Sequence, residues 1–236
     1  MPSLYYPQLD LDTDSFELAG DEYHHLSRVK RIKPGQLLQI NSGRGFLAEA
    51  EVLAITAQSA EMLVKQTKYH EQPKPRFALA FALLKNHHDE LAVEKCSELG
   101  ATDFFPLITD YTVRTEGKNT IERFRKIALA AIKQCDNPWL PQVHPASKID
   151  RALANIEQAG YRAVLCSERE RGQSLADLPS DADLCFLIGP EGGFSEAEFQ
   201  LLNFLPQICI SQQITRAETA AIAVSAQFQL VHLHMR

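Results

Sequence analysis

The stretch Leu187–Glu198, LIGPEGGFSEAE, constrains the fold of this chain more than any other. The apolar run Leu184–Ile188 reads as a buried strand that ends abruptly in Gly189-Pro190-Glu191-Gly192-Gly193. Ser195 and Glu198 then stand in the S-x-x-E spacing of a capping box, where each side chain satisfies an orphan backbone N–H of a helix's first turn. The segment predicts a buried strand, a tight glycine loop and a capped helix. Glycines there let the backbone approach a ligand closely, because no Cβ intervenes. Two readings stand: an ordinary strand-to-helix turn, and a loop that holds a ligand.

Residues 77–236 alternate strand and helix around it. Strands are expected at Phe77–Leu84, Asp103–Ile108, Gln142–His144, Arg162–Ser167, Leu184–Ile188 and Gln207–Ser211. Helices are expected at Asp89–Leu99, Thr120–Cys135, Ile149–Ala159, Ser195–Phe204 and Glu218–His234. The longest has Ile121, Phe124, Ile127, Ala128, Ala131 and Ile132 on one face at helical spacing. Such alternation predicts an α/β domain with a mainly parallel sheet. Ligands of such sheets gather at the carboxyl ends of strands. Gly189–Gly193 and Gln212–Thr219 both lie at such ends, which favours the ligand reading of the loop.

Residues 1–70 read differently. Short strands at Leu37–Ile40, Phe46–Ile55 and Glu61–Gln66, with the turn cluster Asn41-Ser42-Gly43, suggest a small β-barrel. Asp21–Val29 is the one helical piece. Its end carries Arg28, Lys30, Arg31 and Lys33, followed later by Arg44, with His24 and His25 just before. This cluster is either a solvated helix end, where cations suit the dipole, or a set of phosphate contacts to a nucleic-acid backbone. Residues 71–76, with Pro73 and Pro75, form an extended linker, so the domains are expected at 1–70 and 77–236.

Composition removes several classes of function. A net charge of −6 argues against a globally basic nucleic-acid binder and leaves room for a local patch. Five cysteines, odd in number and without metal-ligand spacing, predict a reducing, cytoplasmic setting with no disulfide framework. Neither a secretory leader pattern nor an apolar run of about 18 residues occurs, so no membrane association is expected. Dinucleotide, Walker A, zincin and nucleophile-elbow motifs are absent. The pairs His24-His25 and His87-His88 are adjacent residues that point in different directions, so no metal site is expected.

Taken together, Gly189–Gly193 and the later Ile214-Thr215-Arg216-Ala217-Glu218-Thr219-Ala220 resemble the hallmark segments of the 16S ribosomal RNA uridine-N3 methyltransferases of the SPOUT class. Phe81–Lys85, Glu94–Gly100, Phe105-Pro106-Leu107 and Ala131–Cys135 resemble further family segments, and the N-terminal β part resembles the family's PUA-like RNA-binding domain. The resemblance implies an α/β SPOUT domain with a parallel sheet and a C-terminal trefoil knot. It also implies S-adenosylmethionine (SAM) as cofactor, 16S ribosomal RNA or the small ribosomal subunit as partner, and a homodimer. Carried over position by position, the cofactor site comprises Leu187, Gly189, Pro190, Glu191, Gly192, Gly193, Ile210, Ser211, Ile214, Thr215, Thr219 and Ala220. Arg216 is the candidate that stabilises negative charge developing on the uracil oxygens. Glu218 orients Arg216, acts as base, or is a carboxylate favouring a helix N-terminus. Arg28, Lys30, Arg31, Lys33, Arg44, Lys85 and Arg114 are the expected RNA contacts.

The chain departs from the family pattern at Ser211 (usually glycine), and at Gln213, Tyr111 and Asn137 (usually arginine). Arg114, Lys118 and Lys133 are candidates to compensate for the lost cations. The departures leave two alternatives open: a SPOUT methyltransferase acting on a different RNA nucleotide, and a non-catalytic RNA-binding ribosome-assembly protein that keeps the fold.

Overall fold

The computed structural model describes residues 3–30, 32–112, 117, 119–169 and 172–232. The chain divides into two compact units, Met1–Gln72 with Leu129–Leu140, and Pro73–Ala128 with Pro141–Arg236. No helix among the described residues is long and apolar enough to cross a membrane, and no disulfide joins the described cysteines.

The first unit contains β1 (Leu4–Tyr5), β2 (Ser15–Ala19), α1 (Gly20–Lys30), β3 (Leu37–Asn41), β4 (Phe46–Ile55) and β5 (Ser59–Tyr69). Its sheet runs β1-β3-β4-β5-β2, antiparallel except for the parallel β1–β3 pair. The sequence alternation of β4 is realised: Ala48, Ala50 and Val52 point into the core beside Leu38, Ile40 and Met62. The short strands β1 and β2 were not legible, being too brief to show a period. Leu129–Leu140 joins this unit through specific contacts. Lys133 Nζ lies 2.6 and 2.9 Å from the Glu22 carboxylate oxygens, and its carbonyl accepts a bond from the Ser3 amide. Lys133 is therefore held in a half-buried ion pair and does not stand as a compensating cation. Asn137 is likewise engaged, its carbonyl accepting from Asn41 Nδ2 and its side-chain oxygen from the Trp139 amide.

The second unit contains β6 (Phe77–Ala82), α2 (His88–Glu98), β7 (Asp103–Leu107), α3 (Thr120–Cys135), β8 (Gln142–Val143) and α4 (Ile149–Gln158), with the last part of α3 grouped in the first unit. It continues through β9 (Arg162–Cys166), β10 (Leu184–Ile188), α5 (Glu196–Leu202), β11 (Gln207–Ile208) and α6 (Ala217–His232). The sheet is parallel throughout, in the order β11-β9-β10-β6-β7-β8. Strands β6, β7 and β10 are buried along their whole length, as continuous apolar strands covered on both faces must be. Cys185 and Leu187 face a core shared with Ile149, Ile156 and Leu202 of α4 and α5. Phe186, of opposite parity, packs its ring edge-on against Phe228 of α6. β10, the strand that leads into the glycine loop, thus lies inside the sheet, between β6 and β9.

A polar network ties the strands together at their amino ends. Tyr161 donates to Asp103 Oδ2 at 2.5 Å, and His144 Nε2 stands 2.8 Å from Asp103 Oδ1. Burial, reinforced by the Asp103 charge, pushes the Tyr161 hydroxyl far up, so it remains the donor. The Arg76 guanidinium lies 4.6 Å over the Tyr161 ring and bonds Asp183 through Nε at 2.8 Å. Burial alone would raise the Asp183 carboxyl, but bonds from the Arg76 amide, Lys74 and the Arg76 side chain outweigh it and hold the carboxyl below its ordinary value. The folded state therefore binds this proton less tightly than the unfolded chain. The stability it contributes is complete above the unfolded carboxylate range and is lost as pH falls through the lowered folded value. Asp183→Asn is expected to destabilise the protein at neutral pH, with a smaller difference from the native chain below about pH 4. Chemical denaturation at the two pH values checks this, and an equal difference at both would remove the charge argument.

Candidate cofactor and RNA site

A cavity of about 530 Å³ opens at the carboxyl ends of β9, β10 and β11, within the size range of sites for small-molecule ligands. Its walls come from three chain segments: Leu165–Arg169 at the end of β9, Ile188–Phe194 at the end of β10, and residues from Ile210 into the first turn of α6. The middle wall is the glycine loop. Gly193 adopts a φ of +72° that only glycine takes freely, and its amide closes a turn on the Pro190 carbonyl at 2.8 Å. A Cβ on Gly189 would stand 3.2 Å from the Phe194 ring, so the loop is packed on its own next aromatic.

The capping box forms as expected. Ser195 Oγ accepts from the Glu198 amide at 3.3 Å, and Glu198 Oε2 accepts from the Ser195 amide at 2.9 Å. The same two side chains also hold the loop after β7: Glu198 Oε1 accepts from the Asp110 amide at 2.8 Å, and Ser195 Oγ donates to Asp110 Oδ2 at 2.6 Å. One helix start therefore braces two strand-end loops. The third wall is fixed by Gln227 Nε2 donating to the Ile210 carbonyl and by Ser211 Oγ accepting from the Gln213 amide. Ser211 thus supplies a local bond of its own.

The lining is chemically mixed. Leu165, Ile188 and Ile210 give it an apolar side, Glu168 and Glu191 bring carboxylates, and Arg169 and Arg216 bring guanidinium groups. Arg169 lies 4.5 Å over the Phe199 ring. Arg216 is exposed and makes no ion pair among the described residues. Such a set suits a ligand that joins a flat base, a cation and a carboxylate.

A family model described as an RNA methyltransferase domain matches residues 70–229, and one described as an RNA methyltransferase PUA domain matches residues 18–64. The chain belongs to the RNA methyltransferase family. It is similar to a Synechocystis protein named ribosomal RNA small subunit methyltransferase E, at 30% identity over 89% of this chain and 71% of that protein. A Rickettsia conorii protein of the same name is 28% identical over 94% of this chain and 93% of its own. The crystal structure of the Neisseria gonorrhoeae protein of that name, bound to S-adenosyl methionine, superposes with a TM-score of 0.87 at 23% identity, covering 98% of each chain, a likeness of fold.

In this methyltransferase the structure gathers most of the residues expected at the cofactor. Gly189, Pro190, Glu191, Gly192, Gly193, Ile210, Ser211, Ile214, Thr215 and Ala220 line the cavity together with Arg216. Leu187 and Thr219 do not: Leu187 is fully buried in the α4–α5 core, and Thr219 is exposed outside the lining. Leu187 lies one residue deeper in β10 than Ile188, the last strand residue to reach the cavity, and Thr219 is turned roughly 100° around α6 from Ala220, which lines it. Glu218 does not line the cavity either. It is 7% exposed and pairs with His88 Nδ1 of α2 at 2.8 Å.

Sequence reasoning missed the wall after β9, residues Cys166–Arg169. The strand-end rule applies to β9 as well, but only the sheet order reveals that β9 adjoins β10. Of the expected RNA contacts, Lys33, Arg44 and Lys85 are exposed. Arg31 and Arg114 lie outside the described residues, as do Lys118 and the side chains of Arg28 and Lys30. His87, Asp89 and Glu90 bring one ligand atom each within 4.8 Å of the others, an arrangement that adjacency of the histidines did not suggest. Most of their bonds are local, and one reaches α3. His87 pairs with Glu90, Glu90 with Arg123, and Asp89 accepts from the Leu84 and Glu90 amides. They hold the turn in which Asn86 and His87 take positive φ at the start of α2.

Proposed function

We propose that this chain methylates N3 of a uridine in 16S ribosomal RNA, as free RNA or in the small subunit, using SAM, and that it acts in the cytoplasm as a homodimer. The observation that carries the reading is the cavity shared by the glycine loop and the segment that brings Arg216 to its edge. SAM, when bound, supplies an electrophilic methyl group on a cationic sulfonium. The apolar side of Leu165, Ile188 and Ile210 takes a flat base, and Glu168 and Glu191 favour a positive ligand.

Uridine N3 must lose its proton to attack. Negative charge then develops on the ring and its carbonyl oxygens, and a guanidinium fixed nearby stabilises that charge more than the ground state. Arg216 is assigned that part. The contact of Glu218 with His88, at the first turn of α6, supports for Glu218 the role of a helix-terminus carboxylate. The reading includes a trefoil knot made by the segments after β10 and β11, an exception to the rule that chains do not thread loops. It also includes RNA binding by the N-terminal unit, with Lys33 and Arg44 neutralising phosphates and Lys85 acting likewise from the second unit.

Mass spectrometry of ribosomal RNA nucleosides from cells with and without the gene tests this. Loss of 3-methyluridine from 16S RNA in the knockout is expected, and its retention would overturn the assignment.

A further inference from the structure

Tyr111 follows β7 and belongs to none of the cavity walls, yet it is half exposed, at 52%, beside the glycine loop. A Cβ on Gly192 would lie 3.4 to 3.6 Å from the Tyr111 Cβ, Cδ2 and Cγ atoms, so the tyrosine rests on the backbone of a residue that lines the cavity. The segment carrying it is held firmly on both sides of the ring. Asp110 is clamped by Glu198 and Ser195. Thr112 is tied to Thr109 by an amide-to-carbonyl bond of 3.0 Å and a hydroxyl contact of 2.7 Å. Phe204 is more exposed, at 72%, but it precedes β11 and so lies toward the amino ends of the strands, away from the cavity.

We propose that Tyr111 is the platform on which the target uracil stacks during methyl transfer. The inference rests on the methyltransferase reading above. N3 lies on the pairing edge of uracil, so the base must leave its stack and its partner before N3 can meet a methyl donor. Enzymes that act on bases in this way hold the extruded base against aromatic side chains, whose stacking offsets the lost interactions. An exposed ring, carried on a backbone pinned at Asp110 and Thr112 and lying against a residue of the donor cavity, meets that need with its base segment already ordered. A ring also accepts the face of a pyrimidine without reading its edge, which leaves the carbonyl oxygens to Arg216.

The test is steady-state methyl transfer to small ribosomal subunits isolated from cells lacking the gene, with SAM affinity measured separately by calorimetry. Tyr111→Leu, which keeps bulk and packing on Gly192, is expected to raise KM for the subunit roughly ten- to hundredfold. Tyr111→Phe is expected to behave as the native chain, and both variants should bind SAM normally. A native KM for Tyr111→Leu would overturn the proposal. So would a matching loss in Tyr111→Phe, which would assign the effect to the hydroxyl, or a parallel loss of SAM affinity, which would make Tyr111 a packing residue for Gly192. Failure of the native chain to methylate these subunits would instead defeat the underlying reading.

Discussion

Replacing Arg216 with alanine is expected to slow methyl transfer by about 10²–10³-fold, the effect of removing one preorganised stabiliser of developing negative charge. Affinity for SAM should stay close to native. The side chain is exposed and makes no ion pair among the described residues, so its loss removes little that holds the loop. The loop itself is kept by bonds that do not involve the guanidinium, including Gln227 to the Ile210 carbonyl and the Ala220 amide to the Arg216 carbonyl. Arg216→Lys should recover only part of the rate, because a point charge cannot reproduce the planar fork. Single-turnover transfer and calorimetry separate the outcomes. Unchanged turnover would remove Arg216 from the chemistry, and a loss of SAM affinity as large as the loss of rate would move it to the cofactor.

The largest expected effect on stability lies at Gly45. Its φ of +94° belongs to glycine, and a Cβ there would stand 2.7 Å from both the Trp139 and Tyr69 rings and 2.9 Å from the His70 carbonyl oxygen. None of these can move cheaply. The His70 amide donates to the Gly45 carbonyl, the Gly45 amide donates to Pro138, and Trp139 Nε1 donates to the His70 carbonyl. Gly45→Ala therefore combines backbone strain of about 1–3 kcal/mol with overpacking of a similar size. A total of about 2–6 kcal/mol is a large part of the stability of an ordinary domain. Gly35 is the control: its φ is +84°, but nothing lies within 4 Å of a Cβ, so alanine there meets the backbone strain alone. Urea denaturation of both variants decides the point. Equal losses would mean that the aromatic cradle yields.

Much of the α/β unit was legible because its signals are local. Leu184–Ile188 and Thr120–Cys135 fall where a bounded apolar run and a helical stripe put them. The Ser195–Glu198 box forms because its partners are three residues apart. Errors cluster where the signal is short or the partner distant. Leu4–Tyr5 and Ser15–Ala19 are too brief for periodicity and gain their strand character from pairing with β3 and β5. The last strand was expected to reach Ser211, but it stops at Ile208, where its pairing with β9 ends. Lys133 read as an available cation because nothing near it in sequence names Glu22 as its partner.

The sequence alone determined that Gly189–Gly193 is a loop between a buried strand and a capped helix, and that it belongs with the segment around Arg216. The first depends on residue type and short spacing, which chain chemistry states directly, and the second came from the resemblance of both segments to the family's hallmarks. The tertiary structure decided the rest. It placed β10 between β6 and β9, and so added Cys166–Arg169 as the cavity's further wall. It turned Leu187 into the core, gave Glu218 to His88, and set Tyr111 against Gly192. Each of these depends on which strands are neighbours and which way a side chain points, and both are settled only when distant segments bury their apolar faces together.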